Sequence, residues 1–453
     1  MKFAPHTYQS RAIDFVMTHT HCALFLDMGL GKTVSTLTAL DRLMFEEAAV
    51  ERVLVIAPKS VALNTWSGET RKWDHLNHLR ISVMLGSLKQ RLAALNAQAD
   101  IYVINRENVV WLTEYFLNAG LDWPFDTVVI DESSSFKNYA SKRFKALWKM
   151  RPQIRRIIEL TGTPAPNGLI DLWSQVKLLD GGERLGRFIG QYRESFFHPG
   201  ARSGAVVYDW LPNSGAQDRI AEKISDICLS MQASDYLEMP MVIDGGMTLQ
   251  LDELKQYRKF EKELLLDLED GGEIMALTAV SLTNKLLQFS SGAVYDTEHD
   301  WHEVSRTKLE AFSELMEAST EPVLVFYNYQ HEKERILSEF PDAVPFKGEP
   351  EILTQWNEGK IHLLLCHPAS VAYGLNMQQG GHIIVWYSPT WNLELYQQAN
   401  ARLHRQGQTK PVVIYHLVCK DTMDEVVMAA LHGKGDTQAA LMQYLKQLKA
   451  TIA

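Results

Sequence analysis

Short continuous apolar runs, rich in β-branched residues, recur along the chain with helix-spaced stretches between them. The first series is Cys22–Leu26, Val53–Ala57, Ile101–Asn105, Thr127–Ile130 and Arg156–Leu160; the second is Pro322–Tyr327, Ile361–Cys366, His382–Trp386 and Val412–Leu417. Runs without polar alternation read as strands buried on both faces, and their alternation with helices predicts parallel sheets. Two series predict two α/β lobes, with ligands at the carboxyl ends of the strands. The stretch from about 181 to 320 is mostly helical in pattern: apolar residues at 251, 254, 257, 260, 264 and 265 keep helix spacing. Pro199–Gly215, rich in Gly, Ser and Pro, reads as an exposed loop. A boundary near Pro240 divides the chain into 1–240, with a helical extension at about 181–240, and 241–453.

Composition narrows the class. The 453 residues exceed one ordinary core, and 46% hydrophobic with 22% charged content is that of a globular protein. No apolar run approaches a membrane span, and Met1-Lys-Phe-Ala-Pro5 lacks the apolar core of a signal peptide. Cys22, Cys228, Cys366 and Cys419 are scattered without a CxxC pair, which argues against a zinc site or a disulfide framework and fits a reducing cytoplasm. The net charge of −10 does not advertise a nucleic-acid binder, yet a local basic cleft on an acidic protein is compatible with one.

The chemistry starts at Leu26-Asp-Met-Gly-Leu-Gly-Lys-Thr33, directly after the first apolar run. A buried strand entering a glycine loop that ends in Lys-Thr is how a P-loop protein holds ATP. Backbone N–H groups wrap the phosphates, Lys32 reaches the β and γ phosphates, and the Thr33 hydroxyl holds Mg²⁺. A helix from about Thr33 to Met44 points its positive end at the same anions. The strict pattern has Gly where Leu26 stands, and the shortened glycine set is typical of helicase-like ATPases. Alone, the segment is a glycine turn between strand and helix; the motifs that follow decide the matter.

Thr127–Ile130 ends in Asp131-Glu132, two adjacent carboxylates. In a P-loop ATPase the first orders Mg²⁺, partly through water, and the second orients and deprotonates the attacking water. Leu160-Thr-Gly-Thr-Pro-Ala-Pro-Asn167 also follows a strand, and its hydroxyls suit sensing of the γ phosphate. Near the C-terminus, Gln398, Arg402 and Arg405 are four and three apart; a helix capped by Asn392 and ended by Gly407 puts them on one face. Two arginines in the lobe without the P-loop suit arginine fingers, and a solvated basic face is the plainer reading of RxxR.

These residues together resemble superfamily-two helicase ATPases, and more narrowly the Swi/Snf-type family of DNA-translocating ATPases. Tyr8-Gln9 is similar to the adenine-recognition motif, Asp27–Thr33 to the Asp/Glu-Met-Gly-Leu-Gly-Lys-Thr motif, and Ala57-Pro58-Lys59-Ser60 with Asn64 and Trp66 to Ala-Pro-x-Ser…Asn-Trp. Asp131-Glu132 with Lys137-Asn138, Leu160–Asn167, Val323–Phe326, Gly374-Leu-Asn376, Trp391-Asn392 and Gln398–Gln408 follow in the family's order over nearly the whole chain. The resemblance implies two RecA-like lobes with a mostly helical segment between them. It implies a nucleotide site of Tyr8, Gln9, Met28, Gly29, Leu30, Gly31, Lys32, Thr33, Val34, Gly374 and Gln398. It implies catalysis by Lys32, Asp131, Glu132, Arg402 and Arg405 with ATP and Mg²⁺, the metal held by Thr33 and Asp131.

Nucleic-acid contacts are expected where strands end in the matching motifs: Lys59, Ser60, Asn105, Arg106, Asn328, Tyr329, His367, Ala369 and Trp391. The basic run from Lys142 to Arg156 reads equally well as a solvated helix face, and Trp123, Trp148, Trp173 and Trp210 read better as core than as base-stacking platforms. Three departures stand out: Ser134 where the family has His, Ala401 where an Asp precedes the first arginine, and no paired arginines in Ile224–Pro240. With no chromatin-reading segment in the sequence, the resemblance is to a minimal bacterial or phage motor, expected to act as a cytoplasmic monomer on double-stranded DNA. Single-stranded DNA or RNA and a protein partner stay open as ligands. The rivals are a strand-separating helicase and an ATP-gated binding module with little turnover. The 21 residues between Asn376 and Gln398 leave little room for a strand-splitting hairpin, which needs roughly ten residues beyond the strand and helix start expected there.

Overall fold

The structure is a computed structural model that describes residues 1–166, 168–200, 202–203, 206–207, 210–237, 239–269, 276–371 and 375–432. It divides into two compact units, Met1–Leu237 and Glu238–Ala453.

The first unit is built on one parallel sheet of β1 (His21–Leu26), β2 (Val53–Ala57), β3 (Ile81–Met84), β4 (Ile101–Asn105), β5 (Thr127–Asp131), β6 (Arg156–Thr161) and β7 (Cys228–Met231). Their order is β7-β1-β6-β5-β2-β4-β3, with every pairing parallel. The central strands β2, β4, β5 and β6 are buried at every position, as the apolar runs of β2 and β4 require, and in β6 this burial includes Arg156 and Glu159. Helices α1 (Thr7–Thr18), α2 (Lys32–Phe45), α3 (Lys59–Lys72) and α4 (Leu172–Asp180) are among those covering the sheet. One face carries a continuous apolar core that includes Ala23, Ile56, Ile104, Ile130, Ile157, Trp123 and Trp173. The sequence reading therefore places Trp123 and Trp173 correctly in the core.

The second unit holds β8 (Val242–Asp244), β9 (Met247–Leu249), β10 (Val323–Phe326), β11 (Val344–Phe346), β12 (Leu363–Cys366), β13 (Ile383–Trp386) and β14 (Val412–Cys419). The order is β8-β14-β13-β10-β12-β11, and β9 extends the ladder along the second half of β14. This sheet is also parallel throughout. The architecture is the two-lobe, RecA-like α/β arrangement with helices between the two sheet-forming series.

Three local expectations change. The interval 181–320 contains helices Ile189–Phe196, Ala216–Ile224, Leu254–Glu269, Ala276–Ser290 and Thr307–Ala318, but it also supplies β7, β8 and β9 to the sheets. These are three- or four-residue edge strands, too short to show a period. Pro199–Gly215 is not a plain loop: Phe197–Pro199 pairs antiparallel with Trp210–Pro212, and Arg202–Ser203 with Val206–Val207. The Asn392-capped helix, α5 (Leu393–Asn400), stops at Asn400 rather than at Gly407. Arg402 and Arg405 therefore lie in the turns beyond it and do not share its face with Gln398.

Candidate nucleotide and nucleic-acid sites

In the first unit the chemistry-bearing loops leave the carboxyl ends of three neighbouring strands, β1, β6 and β5. The β1 strand enters the glycine loop, where Gly29 and Gly31 take φ of 89° and 72°. These are left-handed conformations that glycine adopts without a Cβ penalty. At Gly31 the space is closed as well: a Cβ there would sit 2.5 Å from Gln9 Nε2 and 3.2 Å from Val34 Cγ1. Gln9 is thus fixed against the loop from α1, its Oε1 accepting from the His6 N–H at 2.9 Å. Tyr8 is buried beside it and stacks on His6 at 5.3 Å. Lys32 opens α2, and its Nζ donates to Leu26 O at 2.6 Å. The ammonium is curled over the loop at the N-terminus of a long helix, among N–H groups with no helical partner of their own. That is a cradle suited to a polyphosphate. Asp27 secures the far side by accepting from Ala233 N at 2.9 Å.

Asp131 and Glu132 leave β5. Asp131 is buried, and its Oδ2 accepts the Trp66 indole N–H at 2.9 Å. Burial raises its pKa above the ordinary aspartate value, opposed by the Trp66 bond and the Lys32 charge. A carboxylate near the glycine loop supplies the oxygen donors that a divalent cation takes. Glu132 has φ 58°, a left-handed conformation that is costly for a non-glycine residue. Thr161 Oγ1, on β6, donates to Glu132 Oε2 at 3.4 Å and accepts from Thr163 N at 3.0 Å. The second carboxylate is thereby tied to the Thr-Gly-Thr-Pro turn. Gly162 closes the group: a Cβ there would meet Leu26 O at 3.3 Å and Lys32 Nζ at 3.6 Å.

A second tie joins the same two loops. Ser133 Oγ donates to Gln175 Oε1 at 2.8 Å, and Gln175 Nε2 donates to Pro164 O at 2.7 Å and to Asp171 O at 3.0 Å. Lys137 and Asp171 form a longer ion pair of 3.8 Å. Ser134, which stands at the departure from the family pattern, is buried. Gln175 carries no mark in the sequence. Thr161 and Trp66 lay inside quoted motifs without an assigned role.

The nucleic-acid candidates of this unit follow β2 and β4, on the same edge of the sheet. Lys59 is exposed at the start of α3; the Ser60 side chain lies outside the described set. Asn105 is buried, donating to Glu107 Oε2 at 2.7 Å and accepting from Asn108 at 2.5 Å, so its amide organises the loop. Arg106 pairs with Glu107 at 3.0 Å. In the basic run, Arg156 is buried and donates to Val16 O and His19 O, and Arg151 donates to Leu178 O; both are structural.

In the second unit the candidates follow β10, β12 and β13, three adjacent strands. Asn328 Nδ2 donates to Ser388 O at 2.9 Å and Pro389 O at 3.1 Å, lacing the loop after β13 to the loop after β10. Tyr329 donates its hydroxyl to Asn284 Oδ1 at 2.7 Å. His367 Nδ1 faces the backbone N–H of exposed Ala369 at 3.3 Å, and burial lowers its pKa. Trp391 is half-buried, and its Nε1 has no hydrogen-bond partner among the described residues. Gln398 is buried and donates to Glu394. Arg402 and Arg405 converge on one atom: both donate to Leu375 O, at 3.0 and 3.2 Å, and Arg402 also donates to Gln398 O at 2.9 Å. The convergence that helix spacing predicted is reached instead through a shared carbonyl. Gly374 and Asn167 lie outside the described residues.

Fold and loops define a P-loop ATPase core of the helicase type. Residues 8–187 match the SNF2-related domain and residues 307–407 the helicase conserved C-terminal domain. The chain is 38% identical over 460 residues to putative protein p41 of Acyrthosiphon pisum secondary endosymbiont phage 1, covering 98% of this chain and 99% of that protein. It is 25% identical to an uncharacterized ATP-dependent helicase of Mycoplasma genitalium (88% of this chain, 38% of that protein). It is 23% identical to the chromatin structure-remodeling complex subunit snf21 of Schizosaccharomyces pombe (96% and 39%). The chain thus spans about two fifths of the latter two proteins. Among solved structures, the Sulfolobus solfataricus SWI2/SNF2 ATPase core in complex with dsDNA is 20% identical with a TM-score of 0.45, covering 97% and 95%. The protein belongs to the Swi/Snf-type family of superfamily-two helicase-related ATPases.

Proposed function

We propose that the protein is a DNA-dependent ATPase that moves along double-stranded DNA. The observation that carries this reading is the gathering of Lys32, Asp131, Glu132 and Thr161 at three adjoining strand ends, with Asp131 bonded to α3, whose first residue is Lys59. Lys32 and the α2 N-terminus bind the β and γ phosphates of ATP, with Tyr8 and Gln9 toward the base. Thr33 and Asp131 would hold Mg²⁺, which when bound would supply charge neutralisation at the phosphates. Glu132, oriented by Thr161, takes the proton of the attacking water. Arg402 and Arg405 are the arginines assigned to charge developing on the transferred group. Lys59 and the loops after β4, β10, β12 and β13 contact the phosphate backbone.

Translocation without stable strand separation is favoured over unwinding. The interval after Asn376 holds β13 and the start of α5 and no hairpin. The test is displacement of a third strand from a triplex, set beside a forked duplex. A translocase displaces the third strand and leaves the fork paired; efficient fork unwinding by the protein alone overturns the reading in favour of a helicase.

A further inference from the structure

The stretch Ile224–Pro240, which lacks the paired arginines expected there, runs up to the glycine loop. Within it β7 pairs with β1, and the backbone beyond β7 stays on the loop that β1 enters. The Asp27 N–H donates to Met231 O at 3.1 Å, and Asp27 Oδ2 accepts from Ala233 N at 2.9 Å. A tight turn follows, in which the N–H groups of Tyr236 and Leu237 both donate to Ala233 O, at 3.2 and 2.8 Å. Leu237 is buried, and a Cβ on Gly29 would stand 3.7 Å from its Cδ1. Residues 231–237 are thereby held along the loop assigned to the phosphates.

This turn carries an exposed aromatic ring. Tyr236 is 40% exposed, and its ring centroid lies 5.4 Å from that of Tyr8, with the planes 47° apart. Tyr8 itself is 4% exposed, and His6 stacks on it at 5.3 Å with the planes 5° apart. A ring packed against two others and almost closed to solvent offers little face to a purine. Tyr8, which the motif sets toward the base, therefore backs the ring beside it. Tyr236 keeps an open side and borders both halves of the site. It meets the base side through Tyr8, and the phosphate side through its neighbour Leu237 at Gly29. His6 is exposed as well, but it reaches the loop through Gln9.

We propose that Tyr236 is a nucleotide-binding residue whose ring stacks on the adenine of ATP, with Tyr8 as its backing. Its backbone is fixed by the Ala233 turn and its ring by Tyr8, so little freedom is lost when a base settles on it. Stacking uses the π-face of the ring and not the hydroxyl, so phenylalanine should serve in its place. The proposal rests on the reading of the glycine loop as an ATP site.

Calorimetric binding of ADP and of inorganic pyrophosphate to the full chain tests it, since pyrophosphate keeps the phosphates and lacks the base. Tyr236→Ala should weaken ADP about tenfold, the size of one lost base–aromatic stack, and hold pyrophosphate within about twofold. Tyr236→Phe should bind ADP within about twofold of the wild type. If Tyr236→Ala fails to fold, Tyr236→Leu, which keeps apolar bulk against Tyr8 without a π-face, takes its place with the same expected result. ADP binding unchanged in the ring-less variant overturns the proposal. So does Tyr236→Phe being as weak as that variant. A loss for pyrophosphate as large as for ADP also overturns it, because Tyr236 would then only brace the loop. A wild type that binds neither ligand refutes the ATP reading of the loop itself; a wild type that binds ADP and is indifferent to the ring refutes the stacking alone.

Discussion

Trp66 donates its indole N–H to Asp131 Oδ2 across 2.9 Å, with the ring fully buried. Trp66 belongs to the same helix that begins at Lys59, so one rigid element joins a proposed DNA-contacting residue to the carboxylate proposed to hold the metal. A shift of this helix must be felt at Asp131. Trp66→Phe keeps an aromatic ring in the core and removes the donor. A hydrogen bond to a charged group is worth roughly 1.5–3 kcal/mol. The variant should need more Mg²⁺ for half-maximal turnover and should lose several-fold in stimulation by duplex DNA. Mg²⁺ and DNA titrations of steady-state ATPase measure both, and unchanged midpoints would remove Trp66 from the coupling.

Lys32 and Glu132 should separate binding from chemistry. Lys32→Ala removes the point charge in the loop and should abolish tight ATP binding together with hydrolysis. Glu132→Gln keeps the shape and the acceptor for Thr161 but cannot take a proton from water, so it should bind ATP and not turn it over. Nucleotide binding by fluorescence alongside phosphate release reads the two steps apart. Near wild-type turnover by Glu132→Gln would remove it as the base.

The two arginines should differ in kind although both bond Leu375 O. Arg402 is buried and also holds Gln398 O. Its removal should lower stability by roughly 1–3 kcal/mol, because buried carbonyls lose their donors. Arg405→Ala should keep ATP binding and stability while losing on the order of 10³ in turnover, as for arginine fingers elsewhere. Denaturant melts and single-turnover kinetics on both variants check this; a loss of only about twofold for Arg405→Ala would mean that Arg405 only bonds the Leu375 carbonyl and is no arginine finger.

Stability should carry the mark of Glu159. Its pKa in the folded protein is raised well above the ordinary glutamate value by burial, so between those two values the folded state binds more protons than the unfolded one. Stability contributed at low pH is then lost as pH rises, by up to about 1.4 kcal/mol per pH unit. Glu159→Gln cannot titrate there. Urea unfolding across about pH 5 to 8 should show the wild type falling relative to Glu159→Gln; parallel curves would mean that Glu159 ionises normally.

The central strands were readable because burial on both faces writes an unbroken apolar run, as in Val53–Ala57 and Ile101–Asn105, whose bounds agree with the structure. The edge strands β3 and β7 were not, since Ser82 and Ser230 interrupt segments of only four residues. The end of α5 at Asn400 was missed because the spacing of Gln398, Arg402 and Arg405 suits a helix equally well, and the carbonyl of Leu375 that gathers the arginines is remote in sequence. Glu159 did leave a signal, a lone acid inside Arg156–Leu160. That this acid is fully buried among apolar neighbours is visible only in the fold.

The most direct test of the motor reading is steady-state ATPase measured side by side with duplex DNA, single-stranded DNA and RNA. Duplex DNA should stimulate turnover well above the other two, and that stimulation should fall with added salt as phosphate contacts release counterions. Turnover that ignores duplex DNA, or that responds best to single strands or RNA, would contradict a double-strand translocase.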